Sequence, residues 1–259
     1  MLKTLLRYYL LNVKVTRSRI RRAAYRLCSE AIIRILDDDE WERFTQDWYA
    51  KRQWPSEFYA SDVLFEWEKN AIRFFPKPPS NLLVLAAGRG RELRALIKMG
   101  YSVFGIEMDQ DCIKYIQATT PPDNFLGVMK ASFLDIKNAK IRLPKIQVSG
   151  IIIGWSALVH LPSKEAIVDL VQIISNTYPE VPLLLSGSVP YRPRLLRSYL
   201  PLNRESRITN ESDFCRWVDP WYGPCGSLKT EVLESIFGMF GYKISYRYSK
   251  DEYPHWVIR

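Results

Sequence analysis

The chain has 259 residues, 47% of them hydrophobic and 25% charged, which suits one domain with additions and leaves enough apolar residues for a sizeable core. No run of about 18 or more apolar residues occurs, so no membrane span is expected. Cys28, Cys112, Cys215 and Cys225 form no CxxC pair and only two histidines accompany them, which argues against a zinc or other metal site and for a reduced, cytoplasmic protein.

The net charge of +9 is uneven. Residues 1–36 hold nine Lys/Arg against one acid, Glu30, whereas the rest of the chain holds 28 Lys/Arg and 27 Asp/Glu. Segment 1–13 is apolar enough to suggest a secretory signal. Arg7 interrupts it, however, and basic residues follow where a small-residue cleavage site would be needed, so secretion is not expected. Residues 1–36 read instead as one or two basic amphipathic helices, with Leu2, Leu6, Tyr9 and Val13, then Ile20, Ala24, Leu27 and Ala31, at helical spacing. Such helices can pack on a domain with a solvated basic face. They can also meet an anionic membrane surface, making the protein peripheral to a membrane, or meet nucleic acid.

Residues 37–75 read as helical and are rich in aromatics: Trp41, Phe44, Trp48, Tyr49, Trp54, Phe58, Tyr59, Phe65 and Trp67. The acidic run Asp37–Glu40 suits a helix N-terminus. The stretch Pro76–Pro79 breaks the pattern, giving a basic and aromatic helical extension over 1–76 and a second unit over 77–259.

From residue 80 apolar strands alternate with helices. Strands are expected at 81–87, 101–106, 125–130, 147–154 and 181–187, with helices at 92–99, 110–118 and 163–176 between them. Continuous apolar strands of this kind belong to a parallel sheet covered on both faces. Residues 190–226 form a long connection, read either as a lid over an acceptor pocket or as a helical insertion packed on residues 37–75. A helix at 230–238 and strands at 242–248 and 255–259 finish the chain, the two strands as an antiparallel pair.

The segment Leu82–Glu92, LLVLAAGRGRE, carries the chemistry. A buried strand runs into Gly88-Arg89-Gly90 and then a helix, whose free N–H groups and close backbone suit a ligand. The next strand ends at Glu107, nineteen residues after Gly88, where a carboxylate can accept both hydroxyls of a ribose. A dinucleotide site would want a third glycine at position 93, where Leu93 stands. A P-loop would want GK[ST], which is absent. An adenosyl group bearing no phosphate fits best.

LLVLAAGRGRE resembles motif I of class I S-adenosylmethionine-dependent methyltransferases, and SVFGIE resembles their second motif. The resemblance covers residues 80–190 well and the C-terminal helix and strands loosely. It implies a Rossmann-like α/β fold: a seven-stranded, largely parallel sheet with an antiparallel C-terminal strand, helices on both faces and the N-terminal helical extension. S-adenosylmethionine is the implied cofactor. Ala87, Gly88, Arg89 and Gly90 would line its methionine portion, Glu107 would bind the ribose and Met108 would pack on the adenine. Ser132 and Phe133 match the position where the family has an adenine-reading acid and its neighbour, and Trp155 would border the sulfonium. Two supporting acids of the family pattern are replaced here, by Ala86 and Ser132.

His160 stands just past the fourth strand as a candidate base, or else as a packing histidine, and His255 reads as structural. The stretch GWSA replaces the [DN]PP[YF] of amino-methylating nucleic-acid enzymes, and Pro224-Cys225 follows the fifth strand rather than the fourth, so Cys225 reads as an inert loop cysteine. Tyr191, Arg192, Trp217, Trp221 and Tyr222 are candidate acceptor-pocket residues, and Arg194 and Arg197 accompany them. The expected reaction is methylation of O or N on a small-molecule, glycan or lipid-precursor acceptor. The alternatives are an RNA or protein methyltransferase docking through residues 1–36, and a degenerate, non-catalytic cofactor-binding module. Deleting residues 1–36 is expected to spare cofactor binding.

Overall fold

A computed structural model describes residues 1–12, 19–51, 61–138, 141–154, 157–186, 214–219, 223–248 and 255–259. Four helices precede the sheet: α1 (Leu2–Asn12), α2 (Arg19–Ile35), α3 (Asp38–Lys51) and α4 (Glu66–Ile72). Then come β1 (Asn81–Leu85), α5 (Arg91–Lys98), β2 (Ser102–Glu107), α6 (Gln110–Thr119), β3 (Phe125–Lys130), α7 (Phe133–Lys137), β4 (Gly150–Ile153), a 3-10 turn (Ala157–His160), α8 (Lys164–Thr177) and β5 (Leu183–Ser186). The chain closes with β6 (Phe214–Asp219), β7 (Gly223–Leu228), α9 (Thr230–Met239), β8 (Ile244–Tyr248) and β9 (His255–Ile258).

Seven strands form one sheet in the order β3-β2-β1-β4-β5-β9-β8. Strands β1 to β5 are parallel, β9 runs against both β5 and β8, and so six strands share a direction and one opposes them. This is the sheet the sequence led to. Its central strands are short apolar runs, NLLVL, GIII, LLLS and HWVI, and are buried because helices cover both faces. Alternation decides the partners of each side chain. Leu83, Leu85, Ile151, Ile153, Leu183, Leu185 and Trp256 join the core that includes Ile167, Leu170, Ile174, Ile236 and Phe237 of α8 and α9. Leu82, Val84, Val103, Ile152, Leu184 and Val257 join the core of Ala71, Leu93, Leu96 and Ile116 on the opposite face. Each such side chain contributes about 1.5–3 kcal/mol by leaving water.

Helices α1 to α3 build a third core, in which Leu10, Tyr25, Ile32 and Leu36 surround Trp41, Phe44, Trp48 and Val218. The acidic run starts α3 as its charges require: the Asp37 carboxylate accepts the Glu40 N–H at 2.8 Å and the Glu40 carboxylate accepts the Asp37 N–H at 3.2 Å. The apolar stripes of α1 and α2 match the sequence reading only in part, Leu6 and Tyr9 packing on this core as expected. Leu2, Ile20 and Leu27 are 63%, 82% and 65% exposed, whereas Leu10, Tyr25 and Ile32 are buried. Both helices carry two apolar stripes, and those of Leu10, Tyr25, Ile32 and Leu36 share the core with Trp41, Phe44 and Trp48 of α3.

The connection after β5 also differs. Its described part is a two-stranded antiparallel hairpin, β6–β7, and not a helix. The hairpin packs on residues 37–75 nonetheless: the Arg216 guanidinium lies 5.3 Å over the Trp41 ring and hydrogen-bonds to Asp38, and a Cβ on Gly223 would come within 2.5 Å of the Trp48 indole. Cys225 accordingly sits in a buried strand and not in a loop. Tyr191, Arg192, Arg194, Arg197, Trp221, Tyr222, Trp155, Trp54, Phe58 and Tyr59 lie outside the described residues.

Candidate functional site

The loop after β1 is held by its neighbours. Ala86 and Gly88 both have φ of +54°, left-handed values that cost a residue with a Cβ about 1 kcal/mol or more. A Cβ on Gly88 would meet nothing within 4 Å, so the backbone there faces open space. Across the loop, a Cβ on Gly154 would lie 2.3 Å from the Ala86 carbonyl oxygen, so the ends of β1 and β4 touch only because position 154 is glycine.

Glu107 closes the other side. Its carboxylate accepts the Gly88 N–H at 2.6 Å on one oxygen and the Met108 and Asp109 N–H groups at 2.9 Å each on the other. Burial pushes its pKa up to about 7, against the pull of those three donors. Two carboxylate oxygens offer about four lone-pair sites, so the three backbone donors leave about one free, and a ligand with two hydroxyls would take the place of one of those donors.

The helix that follows the loop is anchored from below. Arg91 makes a two-pronged pair with Glu68 of α4, at 2.7 and 2.5 Å, reaches Glu92 at 2.7 Å and stacks 4.1 Å over Phe65. All three charges are buried, and burial raises the Glu68 pKa. The network ties α4 to the glycine loop, because removing Arg91 or Glu68 would leave a buried charge without its partner.

A cavity of about 710 Å³ opens above this floor, within the size range of small-molecule sites. Ala87, Gly88, Arg89, Glu107, Met108, Ser132, Phe133 and His160 line it, as do Ala86, Arg91 and Glu92. Gly90 lies beneath as the N-cap of α5, and Trp217 is half-buried on β6, away from the lining. Among the described residues, no group of three or more His, Cys, Asp and Glu side chains is placed to hold a metal ion.

The wall that sequence reasoning missed is α3. Glu42, Thr45 and Tyr49 recur at helical spacing and face the cavity. The Tyr49 hydroxyl lies 2.5 Å from His160 Nε2, and His160 Nδ1 lies 2.8 Å from the Pro224 carbonyl. A carbonyl only accepts, so Nδ1 carries the proton and Nε2 accepts from Tyr49. Burial pulls the His160 pKa down to about 4, the Pro224 bond opposing it, so the ring is neutral at pH 7. His255 is buried elsewhere, its ring stacked 3.5 Å from that of Trp67. No local sequence signal marks Tyr49 or Glu42, which reach the site through the packing of α3.

No protein-family model matches the sequence, and no curated protein matches it. Solved structures do. A SAM-dependent methyltransferase from Methanosarcina mazei superposes with a TM-score of 0.56 over 75% of this chain and 96% of its own, at 15% identity. The CcbJ methyltransferase from Streptomyces caelestis gives 0.53 over 74% and 87%, at 15% identity. The glycopeptide N-methyltransferase MtfA in complex with S-adenosyl-L-methionine gives 0.51 over 74% and 91%, at 13% identity. The sheet order, the glycine turn after β1 and these superpositions agree: the chain has the Rossmann-like fold of class I S-adenosylmethionine-dependent methyltransferases.

Proposed function

We propose that the chain transfers a methyl group from S-adenosylmethionine to oxygen or nitrogen of a small-molecule, glycan or lipid-precursor acceptor. The observation that carries this reading is the pairing of Gly88, whose backbone faces open space, with the buried Glu107 carboxylate bonded to the Gly88 N–H at 2.6 Å. The residues fit the cofactor. Glu107 would take the ribose hydroxyls, the Gly88 turn would leave room for the methionine chain, and Glu92, lining the cavity at the start of α5, would supply the acid that Ala86 does not.

The bound cofactor supplies an electrophilic methyl group on a sulfonium, so the protein's task is alignment and the exclusion of water. Helix α3 covers the cavity with Thr45 and Tyr49 and narrows the acceptor's approach. An acceptor hydroxyl becomes strongly acidic only as its oxygen gains the new bond. A neutral His160 then suffices as the base even with its pKa near 4. Its reach is through Tyr49: the Tyr49 oxygen takes the acceptor's proton as its own proton passes to His160 Nε2. An amine acceptor, already carrying a free lone pair, needs this path only after transfer.

Calorimetric titration with S-adenosylmethionine, S-adenosylhomocysteine and NADH tests the reading. Micromolar binding of the first two and none of the third is expected, and binding of NADH alone would overturn it. An acceptor screen with labelled cofactor then reads the activity.

Exposed Leu2, Leu5 and Tyr8 of α1 and Ile20 and Leu27 of α2, together with exposed Arg21 and Arg34, favour one further role for the extension: peripheral docking on an anionic membrane surface. No described helix is long and apolar enough to cross a membrane.

A further inference from the structure

Ser132 stands at the end of β3, where an acid reading the adenine edge would complete the cofactor site, and it cannot fill that role itself. Its hydroxyl and backbone N–H are engaged with Asp135 at 2.9 and 3.0 Å, and its oxygen accepts the Asp135 N–H at 3.1 Å, closing the N-terminus of α7. Asp135 turns its Oδ2 back into the same exchange and is not part of the cavity lining.

A different carboxylate occupies the space. Glu42, ninety residues upstream on α3, lines the cavity, is only 7% exposed and lies beside Ser132 and Leu134 at the start of α7. Gln46 donates to it weakly, at 3.4 Å. Among the described residues Glu42 has no cationic partner. A buried carboxylate without one is costly, and it keeps acceptor capacity free toward the cavity. Burial raises its pKa accordingly.

The position suits a nucleobase. The Ala131 N–H bonds the Glu107 carbonyl at 3.0 Å, so the ribose acceptor and the Ser132 corner are adjacent on neighbouring strands. A base attached to a ribose on Glu107 would lie over Ala131–Phe133 with its edge toward Glu42. We propose that Glu42 of α3 accepts the exocyclic amino group of the cofactor's adenine, supplying across space the carboxylate that β3 lacks. The helix that covers the acceptor is then also part of the cofactor site, so acceptor entry and cofactor binding share one element. This rests on the reading of the cavity as an S-adenosylmethionine site.

The test compares S-adenosylhomocysteine with its 6-oxo counterpart, S-inosylhomocysteine, by calorimetry. A carboxylate facing the amino group is repelled by a carbonyl in the same place, so wild type should prefer the adenosyl ligand by about 100-fold. Glu42→Gln, whose amide can meet either group, should cut that preference below about threefold. Should Glu42→Gln fail to fold, Glu42→Asp, which withdraws the carboxylate by one methylene, should still lower the preference. If wild type binds neither ligand, the cofactor reading falls and this proposal with it. If wild type binds the adenosyl ligand and the variants keep the full preference, the cofactor reading stands and the Glu42 assignment is overturned.

Discussion

Replacing Glu107 by glutamine changes one oxygen to an NH₂ group and little else in shape. In wild type the carboxylate serves three backbone donors at 2.6, 2.9 and 2.9 Å. The amide oxygen can serve one side, which leaves its NH₂ group pointing at a backbone N–H on the other. The charge-assisted bonds to two ribose hydroxyls weaken as well, a loss of about 3 kcal/mol in all, or about 100-fold in Kd. A second signature comes from pH. With the carboxyl pKa at about 7, roughly one molecule in ten is ionised at pH 6 and roughly nine in ten at pH 8. Only the ionised form accepts from both hydroxyls, so affinity must rise with pH, by about tenfold across that interval. The ligand to use is 5′-methylthioadenosine, which has no amino-acid group titrating in this range, with calorimetry at pH 6, 7 and 8. Glu107→Gln should bind it weakly and show far less of the pH dependence. Affinity within twofold of wild type in a folded Glu107→Gln variant would refute the placement of the ribose.

Three other perturbations follow from the geometry. Tyr49→Phe removes the hydroxyl on His160 Nε2, so kcat should fall by about 10²-fold for a hydroxyl acceptor while S-adenosylhomocysteine affinity in calorimetry stays within threefold. Gly154→Ala places a Cβ 2.3 Å from the Ala86 carbonyl and should lower stability by about 2 kcal/mol or more in urea titration, with loss of cofactor affinity as the β1 loop shifts. Glu68→Gln strips the two-pronged partner from buried Arg91 and should lower the midpoint of thermal unfolding by several degrees, the cost being about 3 kcal/mol or more.

The parts of this protein that were legible in the sequence are those built from neighbours along the chain. NLLVL, the Gly88-Arg89-Gly90 turn, α5 and the strand ending at Glu107 form one local unit, and the spacing of nineteen residues between Gly88 and Glu107 is fixed by one helix and one strand. The central sheet followed because apolar runs of four to six residues separated by helices admit few arrangements. What was not legible depends on distant contacts. GPCGSL carries little β propensity, Gly223, Pro224 and Gly226 opposing it, and it pairs with FCRWVD while the hairpin closes on Trp48. Glu42 and Tyr49 sit in a segment whose pattern signals only an aromatic helix, and α2 offers two apolar stripes between which its own sequence does not choose.

Removing residues 1–36 is expected to weaken cofactor binding, because the segment packs on α3. Read as a basic arm, the segment is dispensable for cofactor binding. In the fold, Leu10, Tyr25, Ile32 and Leu36 are buried against Trp41, Phe44 and Trp48, on the face of α3 that turns away from the cavity. Four side chains at about 1.5–3 kcal/mol each amount to about 6–12 kcal/mol of lost burial, comparable to the whole stability of a domain. Without that cover α3 is held by the β6–β7 hairpin on Trp41 and Trp48 and by the Tyr49–His160 bond alone, which loosens Glu42 and Tyr49 over the site. The truncated chain should therefore unfold at lower temperature and bind S-adenosylhomocysteine at least tenfold more weakly; an unchanged Kd would show that α3 needs no support from α1 and α2. Truncation is for the same reason a poor probe of membrane docking. Arg21→Glu with Arg34→Glu alters only exposed side chains, so it should leave S-adenosylhomocysteine binding intact while weakening adsorption to phosphatidylserine vesicles by about 30-fold or more, at about 1 kcal/mol per basic residue removed near the surface. Vesicle binding that survives both reversals would remove the docking role and leave the extension as the scaffold of α3.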